Sequence, residues 1–237
     1  MLPQVIRRAA RVMLQSVHEG SEVAQQVALN SLEFCPDTVI KGYLNGFFPM
    51  PDAAGRISWR APEQRGVMPI DGVHVPGNLK RLIRQQKFEI RIDTQFEQVI
   101  RGSAERSDSW ITEEIISVYR QLHEMGIAHS VEAWQGDQLA GGLYGILIGR
   151  YFSTESQFHR VRDAGKVALI HLTEILKAGQ FQLHDVQYAT PFLEQFGSTS
   201  IPAPVFRQQL LRALVQHGRF ELVDPKTATA AAVPTAS

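Results

Sequence analysis

Between Ser130 and Tyr188 the apolar period switches from two residues to nearly four and back to two, and this order constrains the fold more than anything else in the chain. Ser130–Trp134 alternates apolar and polar residues, Gly136-Asp137 makes a turn, and Leu139–Ile148 and Tyr151–Thr154 follow as strands. Gly165–Gly179 then reads as an amphipathic helix whose stripe is Val167, Leu169, Leu172, Ile175 and Leu176. Gly179 is expected to end it in the left-handed conformation. Leu183–Tyr188 returns to strand.

The elements upstream extend the pattern. Met1–Asn30 reads as a helical extension, and Ser31–Pro36 as a linker to a short helix capped by Asp37. The Pro-, Gly- and aromatic-rich stretch from Phe47 to Pro69 reads as an ordered loop lobe. Asn78–Gln86 is a helix and Phe88–Ile92 a strand. Thr94 and Glu97 have capping-box spacing for a helix bearing Phe96, Val99 and Ile100. Thr112 caps the next helix, with Glu113 and Glu114 in its first turn and Ile115, Ile116, Tyr119 and Leu122 along its stripe. Pro204 opens the last helix. The order predicts an α+β, acyltransferase-like domain over 74–224. It is preceded by a helical extension over 1–30 and a small lobe over 31–73, and followed by a low-complexity tail over 225–237.

Composition narrows the function classes. Lys and Arg number 24 against 24 Asp and Glu, so no overall charge draws the molecule to nucleic acid. Arg outnumbers Lys 18 to 6, which favours bidentate phosphate contacts. The single Cys35 excludes an internal disulfide and a Cys-rich zinc cluster. His123 and His129 do not have the spacing of the paired-histidine metalloprotease motif, so no metal site is expected. No stretch has the roughly 20 apolar residues of a membrane span. The first 18 residues carry Arg7, Arg8 and Arg11 without an acid. They read as the basic N-terminal helix of a cytoplasmic protein, with a targeting presequence as the alternative.

Several ordered segments carry a resemblance. They are Gly46-Phe47-Phe48-Pro49, Trp110-Ile111-Thr112, Tyr119 through Glu124, His129-Ser130-Val131-Glu132 through Gly145, Glu155 through Arg160, and Asp185-Val186-Gln187. Over about Val39–Leu214 the chain resembles the bacterial leucyl/phenylalanyl-tRNA–protein transferases. The resemblance implies an acetyltransferase-type mixed sheet flanked by helices. It also implies transfer of Leu or Phe, with Met a further candidate, from aminoacyl-tRNA to an acceptor protein beginning with Arg or Lys, which marks that protein for degradation. The chain departs from the family at Met50 (Trp in the family), Gln157 (Met), His159 (Ser) and Val186 (Cys). These positions bear on adenosine stacking and on the side-chain pocket, and so on donor preference.

The chemistry this implies is economical. A tRNA ester is already activated, so no cofactor is expected, and orienting amine and ester can contribute roughly 7–11 kcal/mol. Asp185 and Gln187 lie two apart on a predicted strand and so face one side. By resemblance they are the catalytic pair, Asp185 as electrostatic partner and Gln187 orienting the amine. Glu155, at the expected end of a strand, and Tyr119 are expected to contact the aminoacyl-adenosine. Leu143, Phe152, Leu169, Leu176 and Gln157 are expected to shape the side-chain pocket. Trp110 is a platform for adenine, with Trp59 its possible companion. Arg160, Arg162 and Lys166, around a helix start, are expected to hold tRNA phosphates. Two alternatives stay open. One is a coenzyme A-dependent N-acetyltransferase, although its Arg/Gln-x-x-Gly-x-Gly loop is missing. The other is a non-catalytic protein that binds tRNA or N-degrons.

Overall fold

A computed structural model describes residues 22–52, 54–105 and 109–223; the expected tail and most of the N-terminal extension lie outside them. Helices α1 (Glu22–Asn30) and α2 (Pro36–Leu44) lead into a hairpin, β1 (Phe48–Pro51) and β2 (Ile57–Arg60), and then β3 (Gln64–Met68). There follow α3 (Gly77–Arg84), β4 (Glu89–Ile92), α4 (Phe96–Ala104) and α5 (Glu113–Glu124). Three long antiparallel strands come next: β5 (Ala128–Gln135), β6 (Gln138–Ile148) and β7 (Tyr151–His159). Helix α6 (Ala164–Ala178) crosses to β8 (Leu183–Gln187). A short helix α7 (Pro191–Glu194), β9 (Thr199–Pro202) and α8 (Ala203–Leu214) complete the described order.

The fold is a mixed α+β arrangement around a seven-stranded sheet in the order β4-β5-β6-β7-β8-β3-β9. Neighbours are antiparallel except β7 and β8, which run parallel because α6 carries the chain across one face between them. On that face α6 and Leu79 of α3 cover Val131, Leu143 and Phe152. On the other face α2, α4, α5 and α8 cover Tyr144, Ile146, Ile148 and Tyr151. Each large apolar side chain fully buried in these layers contributes roughly 1.5–3 kcal/mol.

Tertiary contacts override several local expectations. The stretch expected as a loop lobe supplies β1, β2 and β3, and β3 lies inside the main sheet between β8 and β9. Asp37 does not cap α2; Pro36 opens the helix after Cys35, and Asp37 sits in the first turn near its positive end. Thr94 and Glu97 form no capping box. Glu132 of β5 reaches the start of α4 instead, where its buried carboxylate accepts from the Thr94 hydroxyl and from the Gln95 N–H at 2.7 Å. It accepts also from Ser130 Oγ and Trp134 Nε1, both at 2.9 Å. A carboxylate with this many donors at a helix N-terminus is favourable, which gives Glu132 a structural duty. Thr112 does cap α5, accepting from Ile115 N at 3.3 Å. Gly179 has φ −77°, and Gln180, at φ 60°, takes the left-handed position after α6.

Candidate active site

The site forms where the parallel strands β7 and β8 part. Their register holds for Tyr151↔Leu183, Phe152↔His184 and Ser153↔Asp185 only, while β7 runs on to His159. A bulge sits on each strand at the parting. Gly145 pairs with Thr154 but Tyr144 with Ser156, so Glu155 is the extra residue of β7. Gly66 pairs with Gln187 but Val67 with Asp185, so Val186 is the extra residue of β8. A bulge bends its strand and re-aims the side chains around it. Gln187 then turns left-handed at φ 58°, a conformation that costs a non-glycine residue about 1 kcal/mol or more. Gly66 makes the turn feasible, because a Cβ there would stand 2.3 Å from the Tyr188 carbonyl carbon and the Ala189 nitrogen.

Beneath the parting, Asp185 is fully buried and fully partnered. Oδ1 accepts from Arg65 Nε at 2.8 Å and from the Gln187 N–H at 2.9 Å. Oδ2 accepts from Arg65 at 2.6 Å and from the Tyr151 hydroxyl at 2.6 Å. Arg65, also buried, lies between the Phe48 and Phe206 rings at 4.4 and 4.5 Å and donates to the Gly46 carbonyl at 3.0 Å. The carboxylate of Asp185 keeps Arg65 charged, and burial beside Asp185 pushes the Tyr151 hydroxyl pKa up. With four donors on its two oxygens, Asp185 has no lone pair left for a substrate amine. Through the Gln187 N–H it also holds the turn that carries Gln187.

Above it, Glu155 lies inside β7 rather than at the end of a strand. Oε1 accepts from Ser153 Oγ at 3.0 Å and Gln187 Nε2 at 3.1 Å; Oε2 accepts from the Tyr119 hydroxyl at 3.3 Å. The Tyr43 hydroxyl, on α2, bonds to Glu155 as well and lies 3.2 Å from that of Tyr119. Burial pushes the Glu155 pKa up to about 7, opposed by the hydrogen bonds from Tyr43, Ser153 and Tyr119 and reinforced by Asp185. Burial and the same carboxylate hold the Tyr43 and Tyr119 hydroxyls protonated. Glu155 can therefore take or release a proton near neutrality. Gln187 gives its Nε2 to Ser153 and Glu155, while Oε1 has no partner among the described residues and can accept from a substrate N–H.

The other expected site residues divide. Leu143, Phe152, Leu169 and Leu176 gather in the core between the sheet and α6, where Phe220 stacks on Phe152 at 5.4 Å. Gln157 stands opposite Leu143. Trp110 is half-buried against the other core, whereas Trp59 is 3% exposed and packs on Phe34, so it offers no face to a base. Arg160 pairs with Glu105 and lies over Phe158, and Lys166 pairs with Asp163; Arg162 is exposed beside Asp163. Sequence reasoning missed Arg65, Tyr43, Ser153 and Tyr151. For Arg65 the faint signal was a cation inside a strand-length run ending in Gly66-Val67-Met68.

Residues 67–211 match the family described as leucyl/phenylalanyl-tRNA protein transferase, and residues 33–63 match that family's N-terminal domain. A leucyl/phenylalanyl-tRNA–protein transferase of Salinibacter ruber is 49% identical over 183 residues, covering 77% of this chain and 81% of the relative. One from Herpetosiphon aurantiacus is 47% identical over 180 residues, covering 76% and 94%. One from Paramagnetospirillum magneticum is 42% identical over 191 residues, covering 78% and 91%.

Proposed function

This chain belongs to the leucyl/phenylalanyl-tRNA–protein transferase family, an aminoacyltransferase family, and we propose that the parting of β7 and β8 is where it joins an aminoacyl ester to a protein amine. The observation that carries the reading is the pair Glu155–Gln187 at that opening: a carboxyl that titrates near neutrality beside an amide oxygen free to hold an N–H. Transfer forms a bond from the amine nitrogen to the ester carbonyl carbon and breaks the bond from that carbon to the 3′ oxygen of tRNA. The proton lost by the nitrogen ends on the departing 3′ oxygen. Gln187 Oε1 orients the amine, and ionised Glu155 takes the proton and returns it to the leaving hydroxyl. Asp185, Arg65 and Tyr151 hold Gln187 in place.

Finer points rest on the family resemblance. The acceptor begins with Arg or Lys, its product is marked for degradation, and the enzyme works in the cytoplasm. Among the described residues no helix is long and apolar enough to cross a membrane. The sheet is of the acetyltransferase type; long antiparallel strands followed by a parallel pair that opens support this. Leu143, Leu169 and Leu176 wall the pocket for the donor side chain, and Trp110 receives the adenine. For tRNA phosphates, the exposed side chains of Lys80, Arg81 and Arg84 join Arg160, Arg162 and Lys166. They share the outer face of α3, opposite Leu79.

The test is transfer of labelled Leu or Phe from purified aminoacyl-tRNA to a peptide beginning with Arg or Lys, in EDTA without ATP or coenzyme A. Transfer is expected under these conditions. A strict requirement for metal, ATP or coenzyme A would overturn the mechanism.

A further inference from the structure

Gln157 departs from its surroundings. On β7 it stands opposite Leu143 of β6, so both side chains leave the sheet on the face covered by α6. Leu143, Leu169 and Leu176 make that face apolar and are wholly buried there. Gln157 nonetheless brings an amide to it, and the Oε1 atom is buried with no hydrogen-bond partner among the described residues. Strand β8 pairs with β7 only as far as Ser153, so Gln157 lies on the stretch of β7 whose β8 side is open. An amide end left unpaired in apolar surroundings is unfavourable, and buried polar groups are as a rule satisfied. A partner supplied by a ligand resolves this.

We propose that Gln157 is a specificity-determining residue at the far end of the donor pocket, and that it selects a transferred residue whose ring ends in a hydroxyl, tyrosine over phenylalanine. This rests on reading the parting of β7 and β8 as the donor site. The leucine walls demand an apolar body, and an aromatic ring supplies one. The two ends of the amide have the same shape, and a hydroxyl satisfies either, donating to Oε1 or accepting from Nε2. Phenylalanine fills the same space and leaves the amide unpaired. Tyrosine and phenylalanine differ by that one oxygen, so their ratio isolates the hydrogen bond.

The experiment charges one tRNA body with tyrosine or phenylalanine and measures kcat/KM for transfer to an Arg-initiated peptide by wild type and Gln157→Met. The tyrosine-to-phenylalanine ratio is expected to fall about tenfold or more in the variant, the equivalent of about 1.4 kcal/mol. An unchanged ratio with phenylalanine transfer intact overturns the proposal and leaves the donor site standing. A wild-type enzyme that transfers neither residue overturns both. Should Gln157→Met fail to fold, stable amide analogues of tyrosyl- and phenylalanyl-adenosine serve with the wild type. Tighter inhibition by the tyrosyl compound supports the proposal, and equal or weaker inhibition refutes it.

Discussion

Replacing Glu155 by Gln separates the chemistry of the site from its stability. Burial raises this carboxyl from 4.5 to about 7, so the folded protein keeps a proton that the unfolded chain releases. Its contribution to folding is fully present below pH 4.5 and is lost as the pH rises through 7. At 1.36 kcal/mol per pH unit, the interval amounts to about 3 kcal/mol. Glu155 keeps part of its surface open, so screening reduces this to about 2–3 kcal/mol. Glutamine fits the same surroundings. Its oxygen accepts from Ser153 and Gln187, and its NH₂ donates to the hydroxyls of Tyr119 and Tyr43, which can turn to accept. Glu155→Gln should therefore be more stable than wild type at pH 8 by about 2–3 kcal/mol, or about 5–10 °C in Tm for a chain of this size. The two proteins should be nearly equal at pH 4.5. Transfer should fall about 100-fold or more, since an amide takes no proton. Urea titrations at both pH values, beside single-turnover transfer at pH 8, make the measurement. A stability difference that is the same at both pH values would refute the reasoning, as would near wild-type turnover.

Gln187→Ala should lower single-turnover transfer about 100-fold, roughly 2.7 kcal/mol, with little change in tRNA binding; near wild-type turnover would remove its assignment. Arg65→Met leaves Asp185 buried without its cation and should destabilise the protein by about 3–5 kcal/mol in urea titration, whereas a loss below about 1 kcal/mol would show that the ion pair is dispensable. Changing Lys80, Arg81 and Arg84 together to Gln should weaken tRNA binding and flatten its dependence on salt by about one in logarithmic slope for each phosphate no longer neutralised, while Tm stays put. An unaltered slope would place tRNA elsewhere.

What the chain determined alone was local. The stripe of Val167, Leu169, Leu172, Ile175 and Leu176 needs only a helical period and an apolar neighbour, and α6 forms within one residue of its expected limits. The Thr112 cap and the turn at Gly136-Asp137 likewise lie within a few residues of the groups they serve. The sheet order supplied the rest. Thr94 had the spacing of a capping box, but β5 placed Glu132 at the same helix end, where its side chain accepts from the Thr94 hydroxyl and the Gln95 N–H. Strand β7 was expected to stop at Thr154, because Glu155-Ser156-Gln157 has no apolar alternation. It continues because β6 pairs with it throughout, around a bulge that puts Glu155 in the site. Asp185 and Gln187 could be singled out, yet not what holds them. Arg65 lies 120 residues from Asp185, and Tyr43 lies 76 from Tyr119. Pairs so distant have no spacing rule, because only the insertion of β3 beside β8 and the packing of α2 against α5 bring them within hydrogen-bond reach. The raised pKa of Glu155 has the same origin, since a carboxyl is desolvated by the walls around it and not by its neighbours along the chain.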